Sequence, residues 1–228
     1  MNNIKKLIVT LGCSILLASS FSTTFAKSNS IPINSKYGTI VNFKVDSNVD
    51  MDLAKQEMQI LADTYPDAGN ITIHEIGFVN QSSESIQSSE SIVERSHWLI
   101  DYADPIQKFY TRTRVFESDR FMASCAKGEE KTIVKELEES LSATISGDTM
   151  FGDLGITSQI TYKITEGQKL QGPPESSKYN TREFRVKFYQ NFGTWSQNVH
   201  LQDGRTTVYE GTFVEPNKYV SYSRDRLV

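Results

Sequence analysis

Residues 141–190 constrain the fold more than any other part of this chain. Leu141, Ala143 and Ile145 alternate with Ser140, Ser142, Thr144 and Ser146. After glycine-containing residues 147–155, Ile156, Ser158, Ile160, Tyr162 and Ile164 alternate with Thr157, Gln159, Thr161, Lys163 and Thr165. Beyond Gly172-Pro173-Pro174, Phe184, Val186 and Phe188 alternate with Arg185, Lys187 and Tyr189. A period of two sends successive side chains to opposite faces, so each run reads as an amphipathic strand. The paired prolines stiffen the connection and keep it out of the pairing.

The rest of the chain adds strands and one helix. Residues 37–45 alternate as a first strand. Met51, Ala54, Met58, Leu61 and Tyr65 recur at helical spacing, with Asp50 as N-cap and Pro66 as stop. Residues 71–79 read as a strand whose alternation breaks at Glu75-Ile76, and residues 81–92 are a tandem Gln-Ser-Ser-Glu-Ser-Ile repeat. One isoleucine in six residues buries too little to order such a segment, so the repeat reads as a surface loop or linker. Trp98, Leu99, Ile100 and Tyr102 form an apolar cluster ahead of an Asp104-Pro105 break, and residues 109–116 alternate again. Residues 131–140 fit helix or strand; with no glycine or proline before Leu141, strand is preferred. Asp203-Gly204 is a two-residue hairpin turn signal. It would place Leu201 opposite Thr206 and Val199 opposite Val208, with His200–Thr207 and Asn198–Tyr209 on the other face.

Together these elements predict a mainly β protein. It is an antiparallel β-sandwich or barrel-like sheet with a small N-terminal α/β element. The expected division is a signal peptide over 1–26, the α/β element over 27–80, the repeat over 81–92 and the β domain over 93–228. Lys5 and Lys6, an apolar stretch from Leu7 to Phe21 and small residues around Ala26 have the build of a cleavable export signal. Thr10, Ser14, Ser19 and Ser20 interrupt the apolar stretch, which argues against a membrane anchor. Its removal lowers the basic residues from 24 to 22 against 28 acidic ones, a balance of −6. Such a chain has no bulk attraction for nucleic acid or anionic lipid. It also leaves Cys125 as the only cysteine, set among small and apolar neighbours that favour a buried thiol.

No sequence motif assembles a catalytic or metal site. His74-Glu75 starts like a zinc-protease motif, but Phe78 stands where the second histidine belongs. Pairing of Cys125 with His97 or His200 has no support in spacing. No cofactor is expected. The two serine- and threonine-faced runs around 147–155 raise a second possibility, the inserting hairpin of a membrane-acting β-toxin.

Ser124-Cys125-Ala126-Lys127-Gly128, the run from Gly172-Pro173-Pro174 through Tyr179, Arg182 and Phe184, and the ending Tyr222-Ser223-Arg224-Asp225 resemble a group of secreted proteins of Gram-positive bacteria. The resemblance spans about residues 109–228. It implies secretion and a shared β fold, and carries over no catalytic residue. The function expected first is therefore a secreted, non-enzymatic binding module for an extracellular or cell-wall ligand. A membrane-acting toxin is the second class and a secreted hydrolase the third. The expected contact residues, taken as exposed, are Tyr179, Arg182, Arg185, Lys187 and Tyr189, the last three on one strand face.

Overall fold

The structure is a computed structural model whose described residues are 30–79, 100–147 and 154–228. The expected export signal, the hexapeptide repeat, His97, Trp98 and residues 148–153 lie outside them. The described part opens with an antiparallel pair, β1 (Ile31–Asn34) and β2 (Ile40–Val45). Helix α1 (Met51–Thr64) follows and leads into β3 (Asn70–Phe78), which runs parallel to β2. The helix begins where the sequence places it: the Asp50 carboxylate accepts from the N–H groups of Asp52 and Leu53 at 2.8 and 3.1 Å. It ends at Tyr65, whose N–H still donates to the Leu61 carbonyl, and Pro66 prevents continuation.

Nine further strands complete the described chain: β4 (Ile100–Ala103), β5 (Gln107–Ala126), β6 (Glu130–Thr132), β7 (Leu137–Ser142), β8 (Thr144–Ser146), β9 (Gln159–Ile164), β10 (Lys169–Gln171), β11 (Thr181–Leu201) and β12 (Thr206–Arg226). The protein is mainly β with a small α/β element, as the alternation predicts. An eight-stranded sheet is built around the antiparallel β11–β12 hairpin. On the β12 edge, β3 pairs with one half and β8 with the other; on the β11 edge, β5 runs along Thr181 to Ser196 and β4 pairs only with Val199 to Leu201. The N-terminal element thus continues the same sheet through β3.

Both faces of the hairpin's lower half are covered. On one, α1 lays Ala54, Met58, Leu61 and Ala62 against Val41, Phe43, Ile71, Ile73, Val220 and Tyr222. On the other, Val186 and Phe188 meet Leu141 and Ile160 of the β7–β9 pair, and Phe184 joins Ala123, Cys125, Ile164 and Leu170 beside the β6–β10 pair. Fully burying one such large apolar side chain contributes about 1.5–3 kcal/mol. Toward the turn, Trp195 and Phe213 pack with Leu154 and Ile156.

Three details of register refine the sequence reading. Ser221 pairs with Glu75 while Tyr222 pairs with Ile73, so His74 is an extra residue in β3. The broken alternation at Glu75-Ile76 is therefore a β-bulge. The final hairpin differs by one residue from the expected register: His200 pairs with Thr206, Val199 with Thr207, Asn198 with Val208 and Gln197 with Tyr209. The loop has three residues, Gln202-Asp203-Gly204, with the left-handed conformation at Gly204 (φ 83°) and Leu201 N–H bonded to the Arg205 carbonyl. Three-residue loops use glycine in this way, so Asp-Gly did not mark a two-residue turn. As a result His200 and Tyr209 lie on opposite faces. Finally, the run from Leu141 to Ser146 divides at Ala143: β7 pairs with β9, whereas β8 crosses to β12. Residues 131–140 contribute parts of β6 and β7 and no helix.

Candidate functional site

Alternation along β11 places Glu183, Arg185, Lys187 and Tyr189 on the helix-facing side. Their partners on β12 are Arg224, Tyr222, Val220 and Lys218 in the same order. On β5, Phe121 lies opposite Arg185, Asp119 opposite Lys187 and Phe116 opposite Tyr189. Helix α1 and its cap bring Glu57 and Tyr65 over this floor. The result is a polar and aromatic network at the border of the helix-covered area.

Each carboxylate in the network is already engaged. Glu57, 1% exposed, pairs with the Lys218 ammonium and accepts from the Tyr189 hydroxyl at 2.6 Å. Asp119 accepts from Arg185 Nε at 2.9 Å, from the Tyr222 hydroxyl at 2.6 Å and from the Tyr65 hydroxyl. Glu183 takes Arg224 at 2.8 Å, Arg226 at 2.9 Å and Arg185 at 3.4 Å. Burial alone would raise the Glu183 carboxyl, but hydrogen bonds and charge from Arg224 and Arg226 hold it below its ordinary value. Burial, with Asp119 close by, raises the Tyr222 and Tyr65 phenols, and burial with Glu57 raises Tyr189. Burial opposes the charge on Arg185, yet Asp119 outweighs it and the guanidinium is held still more firmly protonated.

Lys187 is the exception. It is 2% exposed, and its side chain has no hydrogen-bond or ion-pair partner among the described residues. Its ammonium lies 5.6 Å from the Tyr65 ring centre and 5.5 Å from that of Phe116. Burial depresses its pKa; Arg185 and Arg224 push the same way, and Asp119 and Glu57 oppose them. The contacts continue on both sides, with Arg224 over the Tyr65 ring at 3.9 Å and Lys218 over the Tyr189 ring at 4.7 Å. The quadrupole of each ring attracts these cations by about 0.5–2 kcal/mol, a partial offset to their burial. Phe116 and Phe121 remain 53% and 50% exposed on the outer strand, β5.

The five expected contact residues divide into two groups. Arg185, Lys187 and Tyr189 share a face as period two requires, but that face is roofed by α1 and the expectation of exposure is corrected: Lys187 and Tyr189 are buried. A polar strand face next to a helix carrying Glu57 is stabilised by that helix as well as by water. Arg182 sits on the opposite face and forms a two-pronged pair with buried Asp225 at 2.6 and 3.1 Å. The ring of Tyr179 occupies the space where a side chain at Gly69 would go, closing the end of the hairpin. Neither approaches Lys187 through a contact. Glu57, Tyr65, Phe116, Asp119, Lys218 and Arg224 were missed. Glu57 carried a signal, since it interrupts an apolar helix stripe three residues after Ala54 and four before Leu61.

A second arrangement, also missed, resembles a hydrolytic relay. The bulge turns His74 so that Nδ1 meets Asp46 Oδ2 and Nε2 meets Ser223 Oγ, both at 2.9 Å. Acid, imidazole and hydroxyl thus stand in the order a nucleophile requires. Accessibility is the difficulty: Ser223 is 2% exposed and lies mid-strand, paired with Phe184 on one side and Thr72 on the other. The backbone N–H groups of its strand neighbours serve the sheet rather than an oxyanion. The relay fastens β2 and β3 to β12. The Cys125 thiol is also occupied, donating to the carbonyls of Glu129 and Leu170 at 3.2 and 3.5 Å. Cys125 pairs near Arg182, at the opposite end of β11 from His200, so these two form no dyad.

No family model, curated protein or solved structure matches the chain.

Proposed function

We propose that the chain is a secreted, non-enzymatic binding protein that acts at the cell surface or outside the cell. Its contact surface is the strip of β5 beside the α1 roof. The observation that carries this reading is the pair Phe116 and Phe121, half exposed on β5 and bordered by the charged residues of β11 and β12. Solvent-facing aromatics rimmed by polar groups are characteristic of binding surfaces, because they supply large area with little side-chain entropy to lose. The sequence resemblance to secreted Gram-positive proteins supports the compartment, and a cell-wall polymer is the ligand class that compartment offers.

The test is retention of the purified protein on peptidoglycan, teichoic acid and glycan arrays, beside a Phe116→Ala/Phe121→Ala double variant. One polymer should retain the native protein and lose the variant by tenfold or more, with both equally folded by circular dichroism. Unchanged retention of the variant, or turnover of a substrate panel with no retention, would sink the reading. The Asp46–His74–Ser223 arrangement favours a secreted hydrolase as the second reading. Covalent capture of Ser223 by a fluorophosphonate would favour it over binding.

A further inference from the structure

Lys187 is a buried cation with its carboxylate neighbours already committed. Asp119 is opposite it in the β5–β11 register, yet directs its oxygens to Arg185, Tyr65 and Tyr222. Glu57 is held by Lys218 and Tyr189, and Glu183 by three arginines. Five cations (Arg185, Lys187, Lys218, Arg224 and Arg226) therefore face three carboxylates (Glu57, Asp119 and Glu183), and among the described residues only Lys187 of the five has no ion-pair partner. An ammonium in such surroundings loses water without gaining an anion, a cost a fold retains without compensation only rarely.

The rings around it differ in freedom. Tyr65 is tied by its hydroxyl to Asp119 and carries Arg224 on its ring. Phe116 has no polar tie, stands half exposed, and meets Tyr189 edge-on at 6.2 Å. Phe116 is thus the less constrained and more exposed of the two rings beside the ammonium.

We propose that Lys187 anchors an anion subsite that receives one carboxylate or phosphate group, carried on a body that packs against Phe116. The proposal rests on the binding-surface reading above and specifies the chemistry at its centre. Arg185 and Arg224 hold the local potential positive, while their own bonds to Asp119 and Glu183 keep them from collapsing onto Lys187's anion. The oxyanion supplies the charge partner that the protein withholds, and an apolar carrier gains the Phe116 surface. A small inorganic ion gains only the first of these, so organic anions should bind more tightly.

The experiment is NMR of lysine-labelled protein titrated with inorganic phosphate, glycerol phosphate, acetate and benzoate at constant ionic strength. The Lys187 side-chain signal is identified by its disappearance in Lys187→Met. It should shift and saturate with carboxylate or phosphate, and benzoate should bind at least tenfold more tightly than acetate. Lys187→Met should abolish the anion response of its neighbours, and Lys187→Arg should keep it within a few fold. Phosphate esters or carboxylates binding alone would identify which source of oxyanion the subsite takes, and either supports it. An unshifted Lys187 signal, or equal anion binding by Lys187→Met, would overturn the subsite. Polymer retention that still depends on Phe116 and Phe121 would then leave the binding surface standing, whereas retention unchanged in the double variant would remove both.

Discussion

Lys187 and Lys218 lie on the same face of the same hairpin and are both buried, but they live in different electrostatic company. Lys218 is under α1, paired with Glu57 and set over the Tyr189 ring. Lys187 lies at the margin of that cover, with rings around it and no carboxylate in ion-pair contact among the described residues. The helix supplies one acid to this face, Glu57, and it forms its ion pair with Lys218. One lysine fastens the helix to the sheet; the other is left with unsatisfied charge at the boundary between core and surface.

The sharpest break in this comparison is Glu57→Ala. It strands the Lys218 ammonium in the core and should destabilise the protein by about 3–5 kcal/mol, the usual cost of removing one member of a buried pair. Urea unfolding followed by circular dichroism measures it; a loss below 1 kcal/mol would mean that the pair contributes no more than an ordinary hydrogen bond.

Lys187→Met should act in the opposite direction, leaving stability at neutral pH equal or higher. The pH dependence carries the sign. Burial depresses the folded-state pKa of Lys187, with Arg185 and Arg224 adding to it and Asp119 and Glu57 opposing; Tyr65, Tyr189, Tyr222 and Lys218 are further titratable groups on this face. Between that depressed value and the ordinary lysine value of about 10.4, the unfolded chain holds a proton that the native chain lacks. Stability due to this site therefore rises with pH across that window, and the full cost of burying the charge applies below it. The advantage of Lys187→Met should shrink as pH climbs toward 10. The raised tyrosines act oppositely above about 10 and are common to both proteins. An advantage independent of pH would show that Lys187 is not the group responsible.

The smallest effect belongs to the relay on the other face. Ser223→Ala removes one hydrogen bond to His74 and should cost about 0.5–1.5 kcal/mol, and the native protein should take up no fluorophosphonate. Labelling at Ser223 would make this face, and not the one bearing Lys187, the functional one.

Much of the architecture was legible because its determinants are local. The Asp50 cap, the helix stripe, Pro66 and the strand alternation each act within a few residues, and even the β3 bulge left its trace at Glu75-Ile76. The site was half legible. Period two put Arg185, Lys187 and Tyr189 on one face, but alternation does not distinguish a polar face toward water from one beneath a helix that brings its own acid. Placing Phe116 and Asp119 required the β5–β11 register, which shifts at four points, and no local pattern encodes those shifts. Asp203-Gly204 located the last turn but not its length, and one residue was enough to move Tyr209 to the other face.

The β11–β12 hairpin closes around a three-residue loop, so its contacts can zip outward from neighbours in sequence. Everything that converts it into a site comes from far away: Asp119 meets Arg185 across 66 positions and Glu57 meets Tyr189 across 132. Closing such large loops is slow compared with zipping a hairpin. In folding time, then, the ledge around Lys187 is a late assembly, finished when α1 and β5 have both docked. A chain able to bind through it has by that act reported that α1 and β5 have both reached the hairpin.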